Sequence, residues 1–448
     1  MRQPARYQRA LPSLAATLVL TLSLLGPGAA SAITLDAALA RTLEKNPTIR
    51  EAKARLEEAA GRRVILRATA FPDLRIIFPL GVQGGQRAGE DSVQQFAFAR
   101  GFFTQPLFDP RVPPSFRRGQ IEVLLAQQRL NVAIVEQLHT ARVAYLTAAY
   151  QNSLLTLSEA QRQRLENNVR AQSDRYKVGH ADLQALNVAR VLEGEVNPRV
   201  AEAQRTASGA LLTLARTMGE DLGPRAALPT VASDLSFAPV SIDVNAEAAA
   251  ALARRPDLQL ARLLVAAARE DQRIIEAAYF PAIDATVAGD YIPVTQIHRG
   301  SEGTAQRLDD TVSSQISAGA AYTWRVVDNG KVIGAAMQQR AAREANQLVV
   351  EKLEAQVPRE LSQLRNNLRA LQARHDALTK ASDVAQRNVT DVQANLTQGR
   401  SSQLEYRTAE SSSLQAQAGL LGVAYEQNLA LAERDRLTGR YFQFAQDR

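Results

Sequence analysis

The sequence predicts an α+β protein in which long α-helical hairpins alternate with β-hairpins, the whole plan being written twice along one chain. Three observations carry this prediction. A set of landmarks recurs about 210 residues apart, which is too long a period for a solenoid repeat and points to a duplicated domain. Long stretches place apolar residues every three or four positions, the spacing of one helix face. Two shorter stretches alternate apolar and polar residues strictly, the spacing of a strand with two unlike faces.

Residues 1–32 come first and read as a secretory signal: Arg2, Arg6 and Arg9, an apolar stretch from Leu11 to Leu25, and the small residues Ala30-Ser31-Ala32. The stretch is broken by Pro12 and is short for a bilayer-spanning helix of about 20 residues. The mature chain is therefore expected to begin at Ile33. Removing three arginines from a chain of net charge +7 leaves +4, so the basic balance is no argument for nucleic acid. The absence of cysteine excludes disulfides, a thiolate metal site, a cysteine nucleophile and a lipid-modified N-terminal cysteine. No later run of 18 apolar residues predicts a membrane helix, leaving a periplasmic, secreted or β-barrel fate.

The first repeat is placed at 33–240 and the second at 241–448. Leu35-Asp36-Ala37-Ala38-Leu39-Ala40 before Asn46-Pro47 matches Ala248-Ala249-Ala250-Ala251-Leu252-Ala253 before Arg255-Pro256. Each proline lies 25 residues before a second one, Pro72 and Pro281, which follow Phe71 and Phe280. From Asp109 to Gly179 the separation is 70 residues and from Asp328 to Gly399 it is 71; 40 residues more reach Gly219 and Gly439. Only the Pro-to-Asp stretch differs, at 37 and 47 residues.

Those variable stretches hold the strands, at about 73–107 and 282–327. In the first, Leu74, Ile76, Phe78, Leu80 and Val82 alternate with polar residues and return as Phe96, Phe98 and Phe102 past a turn at Gly84-Gly85. In the second, Ile283, Val287 and Tyr291 return as Ile316, Ala318, Ala320, Tyr322 and Trp324 past Gly300-Ser301-Glu302-Gly303. Such alternation is that of a half-buried or outer-membrane hairpin, two strands per repeat and four in all.

Long helices are expected over about 110–219 and 329–438. Val350, Leu353, Val357, Leu361, Leu364, Leu368, Leu371, Leu378, Ala385, Val389, Val392 and Leu396 form a coiled-coil-like seam, and Val196, Val200, Ala203, Ala207, Ala210, Leu214 and Met218 form another. A 70-residue helix is roughly 105 Å long and a 40-residue return roughly 60 Å; the short helix after Asn46-Pro47 or Arg255-Pro256, at roughly 36 Å, nearly fills the remainder if stacked end to end. Pro198 and Pro358 are expected to kink or interrupt their helices. Asp109 and Asp328 are read as helix caps. Four strands are too few for a bilayer barrel, whose bacterial examples have eight or more, so insertion requires several copies. Two copies give eight strands and three give twelve.

In these residues the chain resembles the TolC-like outer membrane efflux proteins. The resemblance rests on Thr34-Leu35-Asp36-Ala37-Ala38-Leu39, Asn46-Pro47, Phe71-Pro72, Leu107-Phe108-Asp109, Asp328-Asn329-Gly330, Gly179, Gly399 and Leu186-Asn187-Val188-Ala189-Arg190. It implies a homotrimer in which each chain gives four strands to a twelve-stranded β-barrel in outer membrane lipid, continued by a long α-barrel across the periplasm of a Gram-negative cell. It implies a passive duct that docks with a periplasmic adaptor protein and an inner-membrane transporter, of RND type in tripartite efflux or ABC type in protein secretion. Val178, Gly179, His180 and Asp182, with Gln398, Gly399 and Arg400, are then the periplasmic tips that meet the adaptor. His180 and Arg400 stand where the family usually carries apolar or small residues. Glu405, six residues after Gly399, and Thr408, nine after, correspond to the periplasmic constriction. Ala185 stands at the equivalent sixth position of the first tip, and Leu396 and Ser401 stand where some family members carry polar tethers. The transported substrate stays open among drugs, metal cations, peptides and proteins.

The competing classes fare worse. His139, His180, His298 and His375 are scattered without metal spacing, and there is no phosphate-binding loop, dinucleotide fingerprint or serine elbow, so no catalytic residue, metal or cofactor is expected. Arg62-Arg63 and Arg117-Arg118 lie among carboxylates or at element ends, as in a solvated face, and no nucleic-acid partner is expected. A periplasmic coiled-coil scaffold accounts for the helices but not for a second strand pair between Pro281 and Val326.

Overall fold

A computed structural model describes residues 32–84, 93–220, 228–232, 235–292 and 313–446. The signal segment through Ser31, the Gly85 half of the first turn and the 300–303 turn lie outside the described residues.

Two short helices open the chain, α1 (Leu35–Lys45) and α2 (Pro47–Ala68). Asn46 ends the first and caps the second, its Oδ1 accepting from the Thr48 and Ile49 N–H groups, and Pro47 costs no hydrogen bond at the first helical position. Strands β1 (Asp73–Ile77), β2 (Leu80–Gly84), β3 (Val93–Ala97) and β4 (Ala99–Phe108) follow, then α3 (Val112–Lys177) and α4 (Leu183–Met218). The same order returns as α5 (Val244–Arg254), α6 (Pro256–Glu276), β5 (Ala282–Ile292), β6 (Ser313–Thr323), α7 (Lys331–Thr397) and α8 (Gln403–Leu437), closed by α9 (Arg440–Gln446).

Four expectations need correction. The first hairpin is not two unbroken strands: Pro79, which has no N–H to give, interrupts one strand and Phe98, whose N–H turns to the Pro79 carbonyl, interrupts the other. Strand β6 stops at Thr323, before Trp324. Helices α4 and α7 run through Pro198 and Pro358 without interruption, because 36- and 67-residue helices packed along their lengths tolerate one lost hydrogen bond. Of the two expected caps only Asp328 holds a helical N–H, accepting from Val332 in the first turn of α7 as well as from Gly330; Asp109 accepts from the Arg111 N–H just before α3, which has no side-chain cap.

The main sheet and the helical part form a strip four elements wide, while β2 and β3 pair with each other in a separate two-stranded sheet. The main sheet has the antiparallel order β1-β4-β5-β6. In the sheet-proximal helical half, α3 packs between α2 and α6, and α6 also packs on α7. In the distal half, α3 lies between α4 and α8, and α8 packs on α7. One edge is thus always made by first-repeat elements (β1, α2, α4) and the other by second-repeat elements (β6, α7). Most predicted seam positions lie in the core: Val357, Leu361, Leu364, Leu368 and Leu371 pack with Val423 and Ala430, while Leu214 and Met218 pack with Ala144 and Ala148; Ala203, Ala210, Val350, Leu353, Leu378, Ala385 and Val392 are only half-buried.

Candidate functional site

The sheet has two unlike faces. Directly opposed residues share a face, so the ladder Leu74–Phe103–Val287–Ala318 lies on one side and Arg75–Phe102–Ala288–Ser317 on the other. Ile76, Ile283, Tyr291, Ile316, Ala320 and Tyr322 join the first, apolar side. Arg100, Thr104, Asp284, Thr286, Asp290 and Gln315 join the second, where the Arg100 guanidinium meets Asp290 at 2.5 Å. The expected phase of the returning strand was wrong here. Phe103 rather than Phe102 shares the apolar face, because the break at Phe98 disconnects β4 from the alternation read through Phe96. Among the described residues nothing covers the apolar side: Leu74 is 65% exposed and Ile316 81%. An apolar surface of this extent needs lipid or another chain, and the 11 residues of β5 and β6 match the length of bilayer-spanning strands.

At the far end the two long hairpins turn in the same way. Lys177 ends α3, and Gly179 takes φ +72°, with its N–H donating to the Tyr176 carbonyl and the His180 N–H donating to that of Arg175. Gly399 takes φ +73°, its N–H donating to Leu396 and that of Arg400 to Asn395. This is a helix ending in which a left-handed residue lets two terminal carbonyls be satisfied. Three residues on, Asp182 caps α4 by accepting from the Ala185 N–H at 2.7 Å. Ser402 caps α8 by accepting from the Glu405 N–H, while the Glu405 carboxylate accepts from the Ser402 N–H at 2.9 Å. Glu405 is therefore both an exposed carboxylate and half of a capping box. Thr408 is exposed, its hydroxyl donating to the Leu404 carbonyl. Val178, Gly179, His180, Asp182, Gln398, Gly399 and Arg400 are all exposed at the two turns. Leu396 is buried against Leu165, Val389 and Tyr406.

The two turns are tied together by residues that no sequence pattern singles out. Arg175 Nη1 donates to the Leu396 and Thr397 carbonyls at the end of α7, placing a cation at the negative end of that helix. The buried carboxylate of Glu410 accepts from Arg164 Nε at 3.0 Å and from the Tyr406 hydroxyl at 3.1 Å. Burial, then the Glu410 charge, push the Tyr406 phenol well above its ordinary range. Arg407 meets Glu195 across α8 and α4. Partners 212 and 246 residues apart, as in these last pairs, give no local signal.

His139 is half-buried, its ring edge toward Tyr441 and its Nε2 3.6 Å from Glu433; burial lowers its pKa despite that carboxylate. His375 stacks on Phe237 with ring centroids 3.8 Å apart. Among the described residues no helix is long and apolar enough to cross a membrane, and no group of three or more acidic or histidine side chains is placed to hold a metal ion.

An amphipathic antiparallel sheet carried on helical hairpins about three times its length is the architecture of an outer membrane channel subunit. The chain belongs to the outer membrane efflux protein family, whose model matches residues 38–220 and 248–440. It is thus a member of a channel family and not an enzyme. Among solved structures it is similar to the outer membrane protein VceC of Vibrio cholerae, at 19% identity and a TM-score of 0.73, over 90% of this chain and 96% of that one. It is also similar to the outer membrane channel MtrE of Neisseria gonorrhoeae in its open state, at 20% identity and 0.69, over 90% and 88%. A third is the outer membrane channel CmeC of Campylobacter jejuni, at 13% identity and 0.73, over 90% and 85%. A search of curated proteins gave no match.

Proposed function

We propose that this protein is the passive exit duct of a tripartite efflux system. In this reading three copies close a twelve-stranded barrel in the outer membrane and an α-barrel below it, and the tips dock with a periplasmic adaptor and an inner-membrane pump. The observation that carries the proposal is the constancy of the strip's edges. Every level has a first-repeat edge and a second-repeat edge, so one rotation brings β6 beside the next copy's β1, and α7 beside its α2 and α4. A head-to-tail interface of this kind closes into a ring. Closure removes both open sheet edges, which lipid cannot satisfy, and covers exposed apolar residues on both sides, such as Val64 and Ile65 against Met337 near the sheet and Val191 against Val384 near the tips. With the apolar sheet face turned to lipid, Arg100, Asp290 and Asp284 face a polar lumen. The exposed tip residues Val178, Gly179, His180, Asp182, Gln398, Gly399 and Arg400 form the adaptor-facing end, and Glu405 and Thr408 lie where a periplasmic constriction would form. The chain has no energy-transducing motif, so transport is driven by the partner.

Electron microscopy and particle mass of protein extracted from outer membranes in detergent test this. A threefold particle of three chains, longer than the roughly 99 Å of α3 alone, is expected. An elongated monomer or dimer purified without detergent would refute it.

A further inference from the structure

We propose that the helix-proximal rim of the sheet is a binding belt for anionic phospholipid headgroups of the periplasmic leaflet. In this belt Trp324 and Tyr279 sit at headgroup depth, and Arg67, Arg325 and Lys331 take the lipid phosphates. The inference rests on the reading that the sheet spans the outer membrane.

The rim is defined by the register. Phe108 pairs with Ile283, which pairs with Tyr322, so the end of β4, the start of β5 and the end of β6 lie at one level on the apolar face. Gln105 Nε2 donates to the Ala70 carbonyl, which brings the Phe71 segment before β1 to the same end. Phe71, Phe108, Tyr279, Tyr322 and Trp324 are all exposed, Trp324 by 51%. They stand between an apolar sheet face on one side and charged helix ends on the other. That is where amphipathic rings are most stable in a bilayer, body in hydrocarbon and polar edge among headgroups. Trp324 has its indole N–H already donated to the Tyr279 carbonyl at 3.2 Å, so the ring's only donor is satisfied without water.

Two cations at this rim, Arg75 and Arg111, are paired with Asp73 and Asp109, as are several deeper in the helices with their own carboxylates, whereas three others at the rim are not. Further along α2 and α3, Arg62 pairs with Glu58 and Glu122, Arg117 with Glu270, and Arg118 with Glu122 and Asp271. At the rim, the Arg67 guanidinium lies over the Phe71 ring at 5.4 Å. Arg325 follows Trp324 directly, and Lys331 opens α7. Among the described residues none of these three has a carboxylate partner in an ion pair, and Asp328, the acid near Arg325, accepts from the backbone of Gly330 and Val332. Unpaired cations next to an aromatic belt fit an anionic headgroup layer. Arg67 stands at the β1 edge while Arg325 and Lys331 stand at the β6 edge, so ring closure places the Arg67 of one copy beside the Arg325 of the next. The cationic cluster is complete only in the closed ring.

The chain supplies its own probe, because Trp324 is its sole tryptophan. Mature protein is reconstituted into vesicles that mix phosphatidylcholine and phosphatidylglycerol, one of them brominated, and Trp324 quenching gives their relative association constants. A preference for phosphatidylglycerol of about fivefold or more is expected at low salt, since one basic residue near a membrane surface contributes about that factor. It should fall toward one in high salt and in the triple variant Arg67→Gln, Arg325→Gln, Lys331→Gln. Bromines near the headgroup end of the acyl chain should quench more than bromines near its terminus. Equal association of the two lipids, a preference that survives the triple variant and high salt, or stronger quenching from the chain terminus would overturn the belt while leaving membrane insertion intact. Absence of quenching by every brominated lipid would overturn the insertion reading and the belt with it.

Discussion

Four glycines end long helices with nearly the same left-handed backbone, φ +72° at Gly179, +74° at Gly219, +73° at Gly399 and +73° at Gly439, yet alanine should cost very different amounts at each. At Gly179 and Gly399 an added Cβ meets nothing within 4 Å. The cost there is the left-handed strain of an L-residue, roughly 1–2 kcal/mol, offset by about 0.4–1 kcal/mol from a less flexible unfolded chain. About 1 kcal/mol of destabilisation remains. At Gly219 the Cβ would lie 2.6 Å from the Lys45 carbonyl oxygen and 3.0 Å from the Asn46 nitrogen, both backbone atoms. The joint between α1 and α2 must then move, and it is held by buried Asn46, which donates to Gln137 and the Thr217 carbonyl and caps α2. Overpacking of this kind adds roughly 1–3 kcal/mol, for a total of about 2–4 kcal/mol. Gly439 is intermediate, with Arg254 Cβ at 3.3 Å. Chemical denaturation of the detergent-solubilised variants, followed by far-UV circular dichroism, should rank Gly219→Ala worst, then Gly439→Ala, then the two tip variants. Asparagine, which tolerates this backbone, should be nearly neutral at the tips and as damaging as alanine at Gly219. Equal midpoints for Gly219→Ala and Gly399→Ala would refute the argument that the packed joint, rather than the backbone angle, decides the cost.

Three further outcomes are expected. Glu405→Gln keeps a side chain able to complete the capping box with Ser402 while removing the charge, so stability should hold and cation selectivity in planar bilayers should fall; unchanged selectivity would place Glu405 away from the constriction. Glu122 is buried, and although burial opposes its ionisation, hydrogen bonds and charge from Arg118 and Arg62 outweigh it and lower its pKa. Its contribution is present above the ordinary glutamate range and is lost as pH falls through the lowered folded value, and Glu122→Gln should cost about 1.5–3 kcal/mol at pH 7 with a flatter acid limb; a variant as stable as the parent in a denaturant titration would contradict this. Burial lowers the His139 pKa below 6.5, so the unfolded chain binds the proton more readily and stability should decline as pH drops from about 7 to 5. His139→Gln should remove that decline, and parallel pH profiles for the two proteins would count against it.

Much of this fold was legible in the sequence because it is made of long elements with one repeating demand. The seam from Val357 to Leu396 could be read residue by residue, since each third or fourth position faces the same neighbour for tens of ångströms. The turn glycines were legible for a related reason: a reversal between two long helices calls for a left-handed residue, and Gly179 and Gly399 stand at matching distances from Asp109 and Asp328. Of the candidate site, Gly179 and Gly399 were located by the duplication itself, and their neighbours at the tips, Asp182 among them, by the resemblance.

What the sequence alone determined was the periodic part: helix and strand stretches, their order, the repeat and the places where the chain reverses. What only the tertiary structure decided depends on partners distant along the chain. The phase of β4 turns on one interruption at Phe98, which puts Phe103 on the apolar face and Phe102 on the polar one. The link between the tips comes from Arg175, whose partners are carbonyls more than 200 residues away. Gly219 and Gly399 look alike in sequence and φ, but only one has the backbone of Lys45 against it. Periodicity reports which face of an element is buried; it carries no information about which other element buries it, and that choice is made by packing across the whole strip.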